Sequence, residues 1–242
     1  MRYLMTFSYD GTNYNGYQKQ LNKNTIQDNI EDNLSKILNQ KITISSSGRT
    51  DARVHAINAK AHFDVDKKIN IGKLRNSLNK LINADIYIKD IIEVSNNFHA
   101  RFNVIKKEYV YKINIGDYNP LDRNYIYQYN KTLDIKKMKK ASKYLRGTHD
   151  FKSFTKVEQN EKDYTRTIYN INFKLKNDIL EITFIGNGFL RYMVRNLVGI
   201  LIEVGNDKKE IKEVKEILEA KDRIKAGITA PPEGLYLKNV KY

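Results

Sequence analysis

The segment Gly48-Arg49-Thr50-Asp51-Ala52-Arg53-Val54-His55-Ala56 sets one carboxylate between two guanidinium groups, in a stretch opened by glycine. Nearby cations lower the pKa of an aspartate and keep it ionised at neutral pH. An ionised Asp51 so flanked suits a nucleophile or a general base, and Arg49 and Arg53 suit phosphate backbones. The same residues could equally form an Arg–Asp ion pair that pins a loop. His55 stands four residues beyond Asp51, where it could hydrogen-bond to the carboxylate or be a satisfied structural histidine. Tyr109 offers an aromatic face of the kind that holds a base pulled out of a helix, where stacking is worth roughly 1–3 kcal/mol. An ordinary strand tyrosine fits its pattern too. Arg191 and Arg195 are four residues apart in an otherwise apolar run, so on a helix they share one side. A buried arginine there needs an anionic partner, and Asp51 would satisfy it. Lys136, Lys137, Lys139, Lys140 and Lys143 form either a solvated face or a set of phosphate contacts that read no sequence.

The elements that must hold these residues follow from hydrophobic spacing. Tyr3, Met5, Phe7 and Tyr9 alternate with Leu4, Thr6 and Ser8, which predicts a strand ended by the Asp10-Gly11-Thr12-Asn13 loop. A helix from about residue 25 carries Ile26, Ile30, Leu34, Ile37 and Leu38 on one face, capped by Asn24 with Gln27 or by Thr25 with Asp28. Strands are expected over 41–46 and 59–65, a helix on the Ile71, Leu74, Leu78 and Leu81 stripe, and a strand over 86–94. That order is β-α-β-β-α-β, the split βαβ or ferredoxin-like arrangement. The second half repeats the alphabet loosely. A strand over 108–115 places Tyr109, Tyr111 and Ile113 on one face, with one tyrosine in the core and the other exposed. A helix carries Ile135, Met138, Ser142 and Leu145, and a hairpin over 165–175 and 179–185 turns at Asn177-Asp178. An apolar helix over 189–204, a helix on Ile211, Val214, Ile217 and Leu218, and a strand over 235–242 complete the chain. The expected fold is α+β: two ferredoxin-like lobes with antiparallel or mixed sheets meeting at a central basic cleft. Residues 1–104 form the lobe with the Asp51 loop, and residues 105–242 the lobe that completes the cleft.

Composition narrows the chemistry. The 242 residues include no cysteine, which excludes a disulfide framework, a cysteine nucleophile and a thiolate metal site. None of the four histidines pair at a ligand spacing such as H-x-x-x-H, which argues against zinc. No apolar run approaches the roughly 18 residues of a membrane span, and the alternating N-terminus reads as a strand rather than a signal peptide. Forty-three Lys and Arg against 28 Asp and Glu give a net charge of +15, a field that attracts polyanions. Nucleic acid leads as the partner, because no basic amphipathic helix carries the exposed aromatics that a membrane surface would call for.

Residues 48–56 closely resemble the G-R-T-D-A-G-V-H-A signature of the TruA family of tRNA pseudouridine synthases. Five further segments resemble that family in the right order. Residues 9–20 are similar to Y-D-G-T-x-F-x-G-W-Q-x-Q, and Phe98-His99-Ala100-Arg101-Phe102 to F-H-A-R-F followed by the Y-x-Y of Tyr109 and Tyr111. Gly147-Thr148-His149-Asp150-Phe151 is similar to G-x-H-D-F, and residues 187–199 to N-x-F-L-x-x-M-V-R-x-x-V-G. Residues 229–237 resemble T-A-P-P-x-G-L-Y-L. The resemblance implies isomerisation of uridine to pseudouridine in the anticodon stem-loop of tRNA, at positions 38, 39 and 40. It implies no cofactor, no metal, a cytoplasmic location and a homodimer that cradles tRNA. Asp51 matches the catalytic aspartate, Tyr109 the tyrosine that stacks on the target base and helps remove a proton late, and Arg195 the basic partner of the aspartate. Arg49 matches the arginine that contacts RNA near the flipped base.

Two residues depart from the pattern. Arg53 replaces the second glycine of the signature, and Tyr17 replaces the tryptophan of G-W-Q while keeping an aromatic platform. At position 53 a positive φ would strain a non-glycine residue; otherwise the added cation gives a phosphate contact that could alter the choice of uridine. The alternatives are a paralogue acting on another structured RNA, or a non-catalytic tRNA-binding or folding protein. The latter has no need of Asp51, Tyr109 and Arg195 together.

Overall fold

The computed structural model describes residues 1–156 and 163–242, which divide into two units: Met1–Ile105 with Tyr236–Tyr242, and Lys106–Leu235. The fold is α+β, with antiparallel and parallel strand pairs.

In the first unit the alternation at the N-terminus becomes β1 (Arg2–Tyr9), whose Tyr3, Met5 and Phe7 are fully buried. Helix α1 (Ile26–Leu38) follows, with Ile26, Ile30 and Leu34 buried at four-residue intervals. Of the two expected caps, Thr25 is the one used: its Oγ1 accepts from the Asp28 N–H at 3.3 Å. Strand β2 (Ile44–Ser46) is shorter than the expected 41–46, because Ile42 N–H is held instead by Ser35 Oγ of the preceding helix at 2.9 Å. Strand β3 (His55–Asp64), helix α2 (Ile71–Leu81) and strand β4 (Ile86–Val94) complete the series. The Asn79 side chain both donates to and accepts from the backbone of Ile88, which ties α2 to β4. Strand β1 lies between β4 and β3, antiparallel to both, and β2 pairs with β3 from Ile44↔Phe63 to Ser46↔Ala61.

In the second unit β5 (Lys106–Asn114), β9 (Ile179–Gly186), β8 (Thr165–Lys176) and β7 (Gly147–Asp150) are neighbours in that order, all antiparallel. A two-residue β6 (Tyr127–Gln128) runs parallel to β5. The β8–β9 hairpin turns at Asn177 and Asp178, at φ 48° and 61°, the left-handed pair that a tight two-residue hairpin needs. Helix α3 (Ile135–Ser142), capped by Asp134, buries Met138, Ala141 and Ser142. Helix α4 (Met193–Gly205) buries nearly every residue, and α5 (Glu213–Ala220) buries Val214, Ile217 and Leu218. The closing strand β10 (Leu235–Lys241) belongs from Tyr236 onward to the first unit and pairs in parallel with β3 through Tyr236↔His55 and Leu237↔Ala56.

Two further expectations need correction. The helix expected from residue 189 begins at Met193, because Tyr192 adopts a left-handed φ of 61° that no helix continues. Arg191 therefore precedes the helix and does not share a helical side with Arg195. Tyr109 and Tyr111 are both buried, at 7% and 0% exposure, rather than one in and one out. Among the described residues, no helix is long and apolar enough to cross a membrane.

Candidate active site

The loop that carries Asp51 is locked to the loop that follows β1. Thr50 is buried; its Oγ1 shares a 2.7 Å hydrogen bond with Tyr9 Oη, and its carbonyl accepts from Tyr17 N–H at 3.1 Å. Arg53 N–H donates to the Tyr14 carbonyl at 3.3 Å, and Val54 N–H to the Asp51 carbonyl at 3.2 Å, which closes a turn around residues 51–54. Two glycines make this approach possible. A Cβ at Gly11 would stand 2.1 Å from the Val54 carbonyl oxygen, and Gly16, at φ 98°, would place one 3.0 Å from that of Thr50. The first two sequence motifs are thus one packed feature, interlocked backbone against backbone.

Asp51 is half-buried, and Arg49 and Arg53 on either side of it are exposed. Arg53 has φ 65°, so the position does require the left-handed conformation that the signature's glycine would adopt without strain. His55 is 2% exposed. Its Nδ1 accepts from Gly11 N–H at 3.1 Å and lies 3.1 Å from Asp10 Oδ1, while its ring stacks on Tyr236 at 4.7 Å. That is structural work, fastening β3 to the first loop and to β10. Tyr17, expected as an aromatic platform, is 2% exposed and packs near the Phe7 and Tyr9 rings, so it belongs to the core. Burial pushes its hydroxyl pKa up.

The other expected residues lie in the second unit. Tyr109 is opposite Phe184 in the β5–β9 ladder, and the Phe189 ring meets it edge-on at 5.2 Å. Arg195, half-buried in the first turn of α4, donates from Nε to the Ala230 carbonyl at 2.7 Å, and Ala230 N–H returns a bond to the Arg195 carbonyl at 3.1 Å. Tyr111 Oη donates to the Pro231 carbonyl at 2.7 Å. Burial first, and then the Glu233 carboxylate, raise the Tyr111 hydroxyl well above its ordinary pKa, so it remains a neutral donor. Gly234 lets the same segment press against β5, since a Cβ there would sit 2.7 Å from the Lys112 carbonyl oxygen. Residues 229–234 thereby join the Y-x-Y strand to the arginine helix.

Tyr192 was invisible to spacing arguments. Its ring lies 5.1 Å from the Arg191 guanidinium carbon and 5.3 Å from that of Arg195, so both arginines meet on one aromatic ring despite the broken helix. A tyrosine has no compositional preference for positive φ, so nothing local announces this turn. The arrangement offers, in one unit, a carboxylate on a rigid loop between exposed cations. In the other it offers an aromatic ring and an arginine whose Nε is held by a backbone carbonyl.

The family model described as tRNA pseudouridine synthase matches residues 5–103 and 141–242. The chain is 47% identical to tRNA pseudouridine synthase A 2 of Clostridium tetani, over 97% of this chain and 96% of that protein. It is 44% identical to tRNA pseudouridine synthase A of a Geobacillus species, over 100% and 98% of the two chains. With the enzyme of the same name from Limosilactobacillus reuteri the identity is 42%, over 100% and 96%. Matched along both its halves and over nearly the full length of such relatives, the chain belongs to the tRNA pseudouridine synthase family.

Proposed function

We propose that this protein isomerises uridine to pseudouridine in the anticodon stem-loop of tRNA, with Asp51 as the nucleophile. The Asp51 carboxylate attacks the ribose C1′ as its bond to uracil N1 breaks, the base turns, and C5 attacks the same carbon as the bond to the carboxylate breaks. The C5 proton is then lost and N1 regains one, so product and substrate contain the same atoms and no cofactor is consumed. The reading rests on one observation above the others: Asp51 sits half-exposed on a loop whose backbone is fixed from both sides, in a chain similar end to end to tRNA pseudouridine synthases. A nucleophile held this way loses little entropy on reaching the reacting atom. Tyr109 stacks on the target uracil and its hydroxyl relays the late C5 proton, passing its own on as it takes that one; Arg195 is the cationic partner that keeps Asp51 ionised. Arg49 and Arg53 contact phosphates beside the flipped nucleotide. The enzyme works in the cytoplasm as a homodimer. Each unit is a ferredoxin-like lobe: the β4-β1-β3-β2 order of the first supports this, as does the β5-α3-β8-β9-α4 succession in the second.

Asp51→Asn tests the assignment. The variant keeps the side chain's shape and should abolish pseudouridine formation in tRNA while holding tRNA within severalfold of the parent Kd, because phosphate contacts dominate affinity. Product is read by mass-shift labelling of pseudouridine and binding by filter retention. Turnover near that of the parent would remove Asp51 from the reaction.

A further inference from the structure

The Phe98–Phe102 segment has no part in the reaction just described, yet its backbone is fastened on every side. Arg2 donates from Nη1 to the carbonyls of Asn96 and Phe98, at 2.8 and 2.7 Å. The Phe98 ring meets Tyr242 edge-on at 4.8 Å, and Tyr242 Oη donates to the Ala100 carbonyl at 2.9 Å. Ala100 N–H donates to His62 Nδ1 at 3.1 Å. Burial, followed by the charges of Arg2 and His99, holds His62 at a pKa of about 4, so at neutral pH that nitrogen remains an acceptor. His99 completes the frame: its Nδ1 accepts from Arg101 N–H at 3.1 Å, and its backbone exchanges two bonds with Asn103.

This rigid frame presents an aromatic ring to solvent. Phe102 is 76% exposed, its only ring support being His99 at 4.3 Å and the Arg101 guanidinium carbon at 5.9 Å from its centroid among the described residues. Leaving so large an apolar side chain in water forgoes the stabilisation that burial would bring.

We propose that Phe102, flanked by Arg101, is an auxiliary stacking site for an unpaired base of the RNA substrate. It rests on the functional reading above. A flat, exposed ring beside an exposed cation is what an unstacked base and its phosphate require, and base–aromatic stacking needs no particular base identity. A protein partner fits less well. A stable interface buries roughly 800 Å² on each side, whereas one aromatic side chain supplies about 150–250 Å². A base pair inside a helix offers no free face, so the interior of duplex RNA would not occupy the site.

The absence of tryptophan from the sequence gives a direct test. Phe102→Trp introduces a single tryptophan that still stacks and can be excited apart from the tyrosines; titration with tRNA should quench it, whereas a long RNA duplex with few ends, matched in phosphate, should not. Phe102→Ala and Phe102→Leu should both weaken tRNA binding roughly five- to a hundredfold, because stacking and not bulk apolarity is lost. Equal quenching by duplex, a parental Kd in Phe102→Ala, or a loss of self-association in that variant with Kd unchanged would each overturn the proposal. If tRNA quenches Phe102→Trp as described but the parent forms no pseudouridine, the functional reading fails while this site stands. If Asp51→Asn abolishes product and Phe102→Ala binds normally, the reverse holds.

Discussion

Arg53 shows how one dihedral decides between two meanings of a residue. The sequence identified it as a cation where a glycine is expected, and left open whether that meant strain or a new contact. With φ 65°, the position is strained for any side chain carrying a Cβ, by about 1–2 kcal/mol. The exposed guanidinium takes no part in packing that would offset this. Arg53→Gly should therefore stabilise the protein by about 1 kcal/mol after the larger chain entropy of glycine is subtracted. For a chain of this size that is roughly 2–4 °C in Tm, measured by thermal unfolding of parent and variant side by side. An unchanged or lower Tm would mean that the arginine makes a compensating contact. Asp51 itself was legible from residue types alone, a carboxylate between cations after glycine. Its rigidity was not, because that comes from Gly11 and Gly16, whose value lies in what their missing Cβ atoms would strike.

At the level of elements, periodicity sufficed wherever a single face is buried. The stripes of β1 and α1, and the hairpin at Asn177-Asp178, follow from spacing and turn chemistry. It failed at the start of α4, where an apolar run continues through Phe189 and Leu190 although the backbone breaks at Tyr192. Hydrophobic pattern reports residue type, and Phe189, Leu190 and Tyr192 carry the apolar run into the helix although only Leu190 of the three is buried, so the pattern cannot mark the boundary between turn and helix. The same helix contains a glycine with a definite purpose. A Cβ at Gly199 would stand 1.9 Å from the Ile228 carbonyl oxygen, so the missing side chain is where residues 228–230 cross α4 on their way to Arg195. Alanine is the better helix former by about 1 kcal/mol. Forcing the crossing chain away costs about 1–3 kcal/mol, and at this distance the upper end applies. Gly199→Ala should accordingly destabilise by about 1–2 kcal/mol net. It should also loosen the Ala230–Arg195 clamp, seen as faster hydrogen exchange at the Ala230 amide. A variant as stable as the parent, with that amide still protected, would contradict the reading.

For the whole molecule, the feature least accessible to local reading is the return of the last strand to β3, a pairing of residues some 180 positions apart. Only contacts across the chain specify it, and no window of sequence contains them. Net charge is the opposite case: it is legible at once, and the fold shows where some of it is displayed. On α3 and the turn after it, Lys136, Lys139, Lys140 and Lys143 are exposed, whereas Lys137 is drawn into an ion pair with Asp207. The apolar side of α3, through Met138 and Ala141, carries its packing, so the lysines are not needed to hold the helix down. If they meet tRNA phosphates, each releases condensed counterions on binding, and log K falls against log salt by about 0.7–0.9 per contact. Replacing the four by serine should then flatten the salt dependence of tRNA binding by up to about three units of slope and weaken binding most at low salt. Lys137→Ser, in contrast, should leave the slope as it was, since that charge is already matched by Asp207. Filter-binding isotherms between 50 and 300 mM salt, on the order of the range where counterion release is resolved, decide the matter. An unchanged slope in the quadruple variant would assign these lysines to solvation alone and place the phosphate contacts on other parts of the basic surface.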